Sequence, residues 1–418
     1  MNLLLAIPLA FRLAGLFAVG ALLGSLANLA IYRLAWLRRA ISPWSPPLPE
    51  APPRRRTDRL PLVGWLGLRR EAPLHGPGFW VRPMLLELLV GLGLAALYWW
   101  EIGQQGLWRH VPLPPGQLPA GIIHGQFLCH AALLWLMLVA SVIDIDELII
   151  PDAITVPGTL LGLAIAALFP WTLLPAGLGG HGFLHVAAPN PWPAWLRGLP
   201  NLAPLAIGLG CWWLWCLGLL HRTWYSRHGW RRAVQLMVAR LVRAPSTPRV
   251  LLVGAAGTGA ISGVWFWGGV PWMGLLTALV GMAAGGGLIW LVRIIGRAVL
   301  QREAMGFGDV TLMAMIGVFL GWQSCLVVFF LAPLAGLVIG LALLVLRRES
   351  VIPYGPFLCL AAAATIVEWS PIWQRISLPL GILGSLIPVV VAVMMVVMIP
   401  LLWIVRVVRS IIVPERTE

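Results

Sequence analysis

The stretch GIIHGQFLCHAALLWLMLVASVIDIDELIIPD, residues 121–152, decides how the chain is read. Gly121 to Ile143 is apolar for about the 20 residues that an α-helix needs to cross a bilayer. Asp144, Asp146 and Glu147 follow at its end, and Pro151 and Asp152 stop one helix and begin the next. A carboxylate at a membrane edge is costly, so acids concentrated at the end of an apolar run are functional candidates.

Working outward, runs of similar length recur through all 418 residues, of which 60% are apolar and 11% charged. Strand-like alternation is absent, which excludes a barrel and predicts an all-α polytopic membrane bundle. Hydropathy places about 11 transmembrane helices, roughly Leu13–Ile31, Met84–Trp99, Gly121–Ile143, Ala153–Pro170, Leu202–Leu220, Val250–Phe266, Met273–Ile294, Thr311–Leu320, Leu326–Leu346, Phe357–Val367 and Leu378–Val405. Arg12 within the first apolar run, with no basic leader before it, reads as a retained span rather than a cleaved signal peptide. The expected organisation is an N-terminal region 1–100, a membrane core 121–368 with inserted spans at about 171–249, and an additional span with its tail at 369–418.

All 29 basic residues are arginine and the formal net charge is +14. They fall between apolar runs, where they orient spans and meet anionic lipid, so the charge does not indicate nucleic acid. Alternating the spans around the arginine clusters places the Arg38 to Pro83 segment in the cytoplasm. It also brings Asp144 and Asp309 to the same face. Trp230 to Val242 reads as an amphipathic surface helix.

Cys129, Cys211, Cys216, Cys325 and Cys359 lie in or beside apolar runs, as small buried hydrophobes do. His181 and His185 have metal-pair spacing, but their glycine-rich surroundings without acids read as a plain loop. Asn28, inside the first span, needs an interhelical partner.

The second acidic motif is Gly306-Phe307-Gly308-Asp309. Its glycines let backbone approach the acid, and Asp309 could also serve as the cap of the helix that follows. Two carboxyls held together share a proton, so that one can deprotonate water while the other protonates a carbonyl oxygen.

The I-D-x-D pair with Pro151-Asp152, followed by G-x-G-D, resembles the type IV prepilin peptidase family of membrane aspartic proteases. Three further segments carry the resemblance: Gly24-Ser25 through Asn28 to Tyr32-Arg33; Leu60-Pro61-Leu62 through Trp65 and Arg69-Arg70 to Arg82-Pro83 and Glu87-Leu88; and Ile352 to Phe357. The resemblance implies cleavage of prepilin or pseudopilin leaders at the cytoplasmic face of the plasma (inner) membrane, for a type IV pilus or type II secretion system. Asp144 and Asp309 would be the catalytic pair, with Gly306, Gly308, Asp146 and Asp152 supporting and no metal required. Many members also methylate the new N-terminus with S-adenosylmethionine, and Glu87 matches a position of the region associated with that activity.

The chain departs from the family in three places. The Arg38 to Pro83 loop lacks the two cysteine pairs that would bind zinc; Pro47, Glu50, Ala72 and His75 stand there instead, so no zinc is expected and methyl transfer is less secure. Thr311 replaces a common lysine, and the interval between the two acids is longer. Two alternatives stay open: a G-x-G-D protease acting on other membrane substrates, and a non-enzymatic transporter or assembly scaffold whose acids pair with arginines or carry ions.

Overall fold

The computed structural model describes residues 7–109, 120–177, 182–220, isolated positions between 232 and 244, 246–301, 305–345 and 353–412. The principal helices are α1 (Leu9–Leu34), α2 (Val81–Tyr98), α3 (Ala120–Glu147), α4 (Asp152–Leu168), α5 (Ala203–Leu219) and α6 (Thr247–Trp267). They continue as α7 (Gly269–Leu300), α8 (Phe307–Leu320), α9 (Trp322–Val345), α10 (Gly355–Val367), α11 (Trp369–Leu383) and α12 (Ile387–Ile412). One small hairpin, β1 (Pro175–Gly177) with β2 (Gly182–Phe183), is the strand structure among the described residues.

Seven of these helices are long and apolar enough to cross a membrane, or up to eight if the bent pair α10 and α11 counts as one. The remaining apolar helices, α4, α5 and α8, are shorter, so length and composition support seven or eight of the 11 expected spans. The expected single span Leu378–Val405 is interrupted. Gly384, at φ +44, ends α11, and a fresh helix begins at Ile387. The expected surface helix at Trp230 to Val242 lies largely outside the described residues, as does His181.

At the centre stands α8, whose residues from Asp309 to Leu320 are all buried. A short apolar helix enclosed on every side needs no polar face, and this one has none after its first turn. Its neighbours include α7, and the two backbones touch: a methyl group on Gly281 would run into the Gly317 carbonyl oxygen, and one on Gly317 into that of Gly281.

At one end of the bundle, α3 ends in a tight turn with Leu148 left-handed (φ +56), its N–H donating to Asp144 O at 2.8 Å. At the other end, the segment after α4 folds over the bundle through backbone carbonyls. Trp369 Nε1 donates to Pro175 O at 2.7 Å, Trp373 Nε1 to Ala176 O at 2.9 Å, and Gln323 Nε2 to His185 O at 2.8 Å. His185 is buried in that segment with its ring edge-on to Trp192.

The loop between α1 and α2 is held by charge. Arg54 donates twice to the fully buried Glu71, from Nε at 2.9 Å and from Nη2 at 3.0 Å, and also to the carbonyls of Ala40, Ser42 and Ser45. Arg70 pairs with buried Asp58. Removing one member of a buried pair strands the other, so Arg54→Ala is expected to cost about 3 kcal/mol. Limited proteolysis of membranes should then cut between residues 38 and 80 faster than in the parent protein.

Burial alone would push the Asp58 carboxyl up, but hydrogen bonds from Arg70 and the Arg55 amide outweigh it and hold Asp58 below its ordinary value. A depressed carboxylate stabilises above its unfolded pKa of about 4, and that stability is lost as pH falls through the lower folded value. The same loop should therefore loosen in acid below about pH 4, and Asp58→Asn should remove that part of the acid sensitivity in a proteolysis-against-pH series.

Candidate active site

Asp144 comes from the last turn of α3 and Asp309 from the first turn of α8. They are 4% and 6% exposed, and the Asp144 charge acts on Asp309. Two helices that begin at opposite ends of the bundle thus deliver their acids to one place. The helix start is set by Gly306, which is the N-cap, so Asp309 is the third helical residue rather than the cap itself. The Gly306 backbone amide faces the Asp309 carboxyl. The helix start supplies this amide because its first N–H groups have no partner within the helix.

The two glycines of the motif have different reasons. A Cβ on Gly308 would lie 2.8 Å from Ile150 Cβ and 3.3 Å from the Ile150 backbone, so that glycine lets the turn after α3 close onto α8. A Cβ on Gly306 would stand an ordinary 3.8 Å from Asp309 Oδ2, facing the carboxyl. This glycine keeps the approach to the acid open.

The third wall is the start of α10. Gly355 brings its backbone amide against Asp144, and a side chain there would collide with Asp144 Oδ2 and lie 2.8 Å from Ile150 Cδ1. Tyr354, beside it, feels the charge of Asp309; burial first and that charge second push its phenol up to about 12, so it stays a protonated donor. The segment Ile352 to Phe357 is legible as a motif, but its contact with Asp144 is not, because backbone packing leaves no residue-type signature.

Asp146 and Asp152 are not joined to this pair. Asp146 accepts from Arg82 Nη1 at 2.8 and 2.9 Å, and Glu147 accepts the N–H groups of Trp36 and Leu37 at 2.6 and 2.9 Å. These two acids fasten the ends of α2 and α1 to the end of α3, which explains why Arg82 and Asp146 occur together. Asp152 is the first residue of α4, with Pro151 as the cap, and faces a cavity behind α8.

Glu87 is fully buried on α2. It accepts Leu62 N–H at 2.6 Å, Trp65 Nε1 at 2.8 Å and Asn28 Nδ2 at 3.4 Å. Asn28 also donates to Pro83 O at 2.9 Å, which is the interhelical partner its position requires. Both Glu87 oxygens accept hydrogen bonds that hold the loop against α1 and α2. The cysteines are free among the described residues, and no group of three or more His, Cys, Asp or Glu there is placed to hold a metal ion.

Residues 246–341, which contain Asp309, match the model of the Type IV leader peptidase family. The chain is 34% identical over 104 residues to the prepilin leader peptidase/N-methyltransferase of Aeromonas salmonicida, covering 23% of this chain and 36% of that relative. It is 32% identical over 102 residues to the Burkholderia pseudomallei protein of the same name, covering 24% and 33%. The type 4 prepilin-like proteins leader peptide-processing enzyme of Escherichia coli O78:H11 matches at 32% over 149 residues, covering 34% and 54%. These matches span about a third to a half of the relatives' own lengths. No solved structure matches.

Proposed function

We propose that this multi-pass membrane protein is an aspartic endopeptidase that removes the leader of type IV prepilins or pseudopilins, with Asp144 and Asp309 as its catalytic pair. The observation that carries the reading is the meeting of these two buried carboxyls at one end of the bundle, lined by Gly306 and the backbone of Gly355. One carboxylate takes a proton from water, and the water oxygen attacks the scissile carbonyl. The other, protonated, donates to the carbonyl oxygen, and the proton then passes to the leaving amine. The open approach at Gly306 suits an extended peptide. The arginine distribution supports a cytoplasmic position for this end, where a leader with basic residues would lie.

The core that would do this work is residues 121–368 with its inserted spans at about 171–249, and 1–100 and 369–418 are the N-terminal region and the additional C-terminal span with its tail. N-methyltransferase is the second activity named for the Aeromonas salmonicida and Burkholderia pseudomallei relatives. Glu87, held by Leu62, Trp65 and Asn28, lies in the region that the family resemblance links to that activity.

The test is mass spectrometry of a prepilin co-expressed with the full chain, Asp144→Asn and Asp309→Asn. Loss of the leader mass with the parent chain alone supports the peptidase, and an added methyl mass on that product supports the second activity. Processing that persists in both variants at normal protein levels refutes the assignment.

A further inference from the structure

The loop between α1 and α2 lies alongside these helices rather than beyond their ends. Trp44 Nε1 donates to Ser25 Oγ at 3.1 Å, and Trp65 Nε1 donates to Glu87 Oε1 at 2.8 Å. Ser25 and Glu87 are both buried. Ser25 stands nine residues before the end of α1 and Glu87 six residues after the start of α2, about 13 and 9 Å along their helices. α1 has 26 residues, about 39 Å, against a hydrocarbon core of about 30 Å. Both attachment points therefore sit where the hydrocarbon meets the headgroups on the loop side.

At that depth the loop turns apolar side chains outward. Leu62 is left-handed (φ +63); its N–H donates to Glu87 Oε2 at 2.6 Å, and Val63 N–H donates to Pro61 O at 2.7 Å across a three-residue turn. A leucine in this conformation is strained, and a buried carboxylate holds it there. The turn opens into the short helix Val63–Leu68, which packs Trp65 and Leu68 into the core. On its outer side Val63 is 64% and Leu66 45% exposed, and Leu60, just before the turn, is 54% exposed. Trp44 is half-exposed as well, with the Arg59 guanidinium 5.3 Å from its ring centre.

Residues 38–83, all of them described, hold nine arginines and three acids. Asp58 and Glu71 are paired within the loop to Arg70 and Arg54, whereas Arg55, Arg56 and Arg59 are exposed. We infer that Leu60, Val63 and Leu66 insert at the boundary between headgroups and acyl chains, with phosphates of anionic phospholipid at Arg55, Arg56 and Arg59. The apolar side chains lie at the depth of Glu87, below the reach of a water-borne partner, and the arginines select negative headgroups.

The test uses full-length protein in nanodiscs of phosphatidylcholine with or without phosphatidylglycerol. A spin label is placed on Val63→Cys or, as the aqueous reference, on Glu50→Cys in an exposed part of the same loop, with the parent chain as background for its own cysteines. Collision of the label with a water-soluble nickel chelate is read by electron paramagnetic resonance. It should be about 10-fold lower at Val63 than at Glu50, because an interfacial apolar face is sunk roughly 5–10 Å into the boundary. Phosphatidylglycerol should lower it at Val63 by about a further 5-fold, the effect of one arginine at an anionic surface. The triple substitution Arg55→Gln, Arg56→Gln and Arg59→Gln should remove that second drop with an unchanged melting temperature. Equal nickel collision at Val63 and Glu50 overturns the inference, as does a phosphatidylglycerol effect that survives the triple substitution. So does shielding of Val63 that appears only when prepilin is added, which would give this face to a protein partner. The readout is the depth of a label, so the result is independent of whether the carboxyl pair cleaves prepilin.

Discussion

Replacing Asp144 or Asp309 with asparagine should lower leader removal by about 10³-fold or more, roughly 4 kcal/mol of transition-state stabilisation. Asparagine keeps the shape of the side chain but cannot exchange a proton with water. Neither variant leaves a neighbour that can take over: Asp146 is turned toward Arg82, and Asp152 lies behind α8. On the proposal that the pair acts as one unit, the double variant should be no slower than the worse single one. Cleavage kinetics on purified prepilin in detergent, with protein level and melting temperature matched, check this. Rates in the double variant equal to the product of the two single losses would mean that the acids act separately.

The second large effect is expected at Gly355. Alanine there adds one methyl group, which collides with Asp144 Oδ2 and comes within 2.8 Å of Ile150 Cδ1. Either α10 withdraws or Asp144 turns away, and displacements near 1 Å at a reacting group cost about 10²-fold. The expected result is a fall of about that size in kcat/KM, carried mainly by kcat, with the protein still inserted and folded. Gly93→Ala on α2 is the control, because its Cβ would meet nothing within 4 Å and it lies outside the carboxyl pair. If Gly355→Ala processes prepilin at the parental rate, the start of α10 does not position Asp144.

What could be read from the residues was whatever leaves a pattern in residue type. Apolar runs mark α1, α2, α3, α6, α7 and α9 because the bilayer imposes their length and composition. The acids stand out because charge is rare in such runs, and Asn28 announces a partner for the same reason. The limit is reached where side-chain type no longer distinguishes outcomes. The run from Leu378 to Val405 is almost uniformly apolar, so hydropathy cannot see the break at Gly384. Nor does a carboxylate reveal its task. Glu87 and Asp146 belong to the same motif set as Asp144, yet their hydrogen bonds hold helices and a loop together, which only their partners' positions disclose.

The contact between α7 and α8 bears on how a substrate gets in. At Gly281 and Gly317 the two helices meet backbone to backbone, with no side chain between them to change rotamer and take up a displacement. Asp309 therefore rides on a helix seam that has no side chain to give way. The start of α10 meets Asp144 through the Gly355 backbone, but beyond that contact it packs through side chains, with Phe357 resting on Gly336 and Cys359 Sγ directed at Met137 O, and such contacts can slide. Compliance is thus uneven around the carboxyl pair: the wall with Asp309 is an anvil, and the space for a peptide has to be made by yielding on the side of α10.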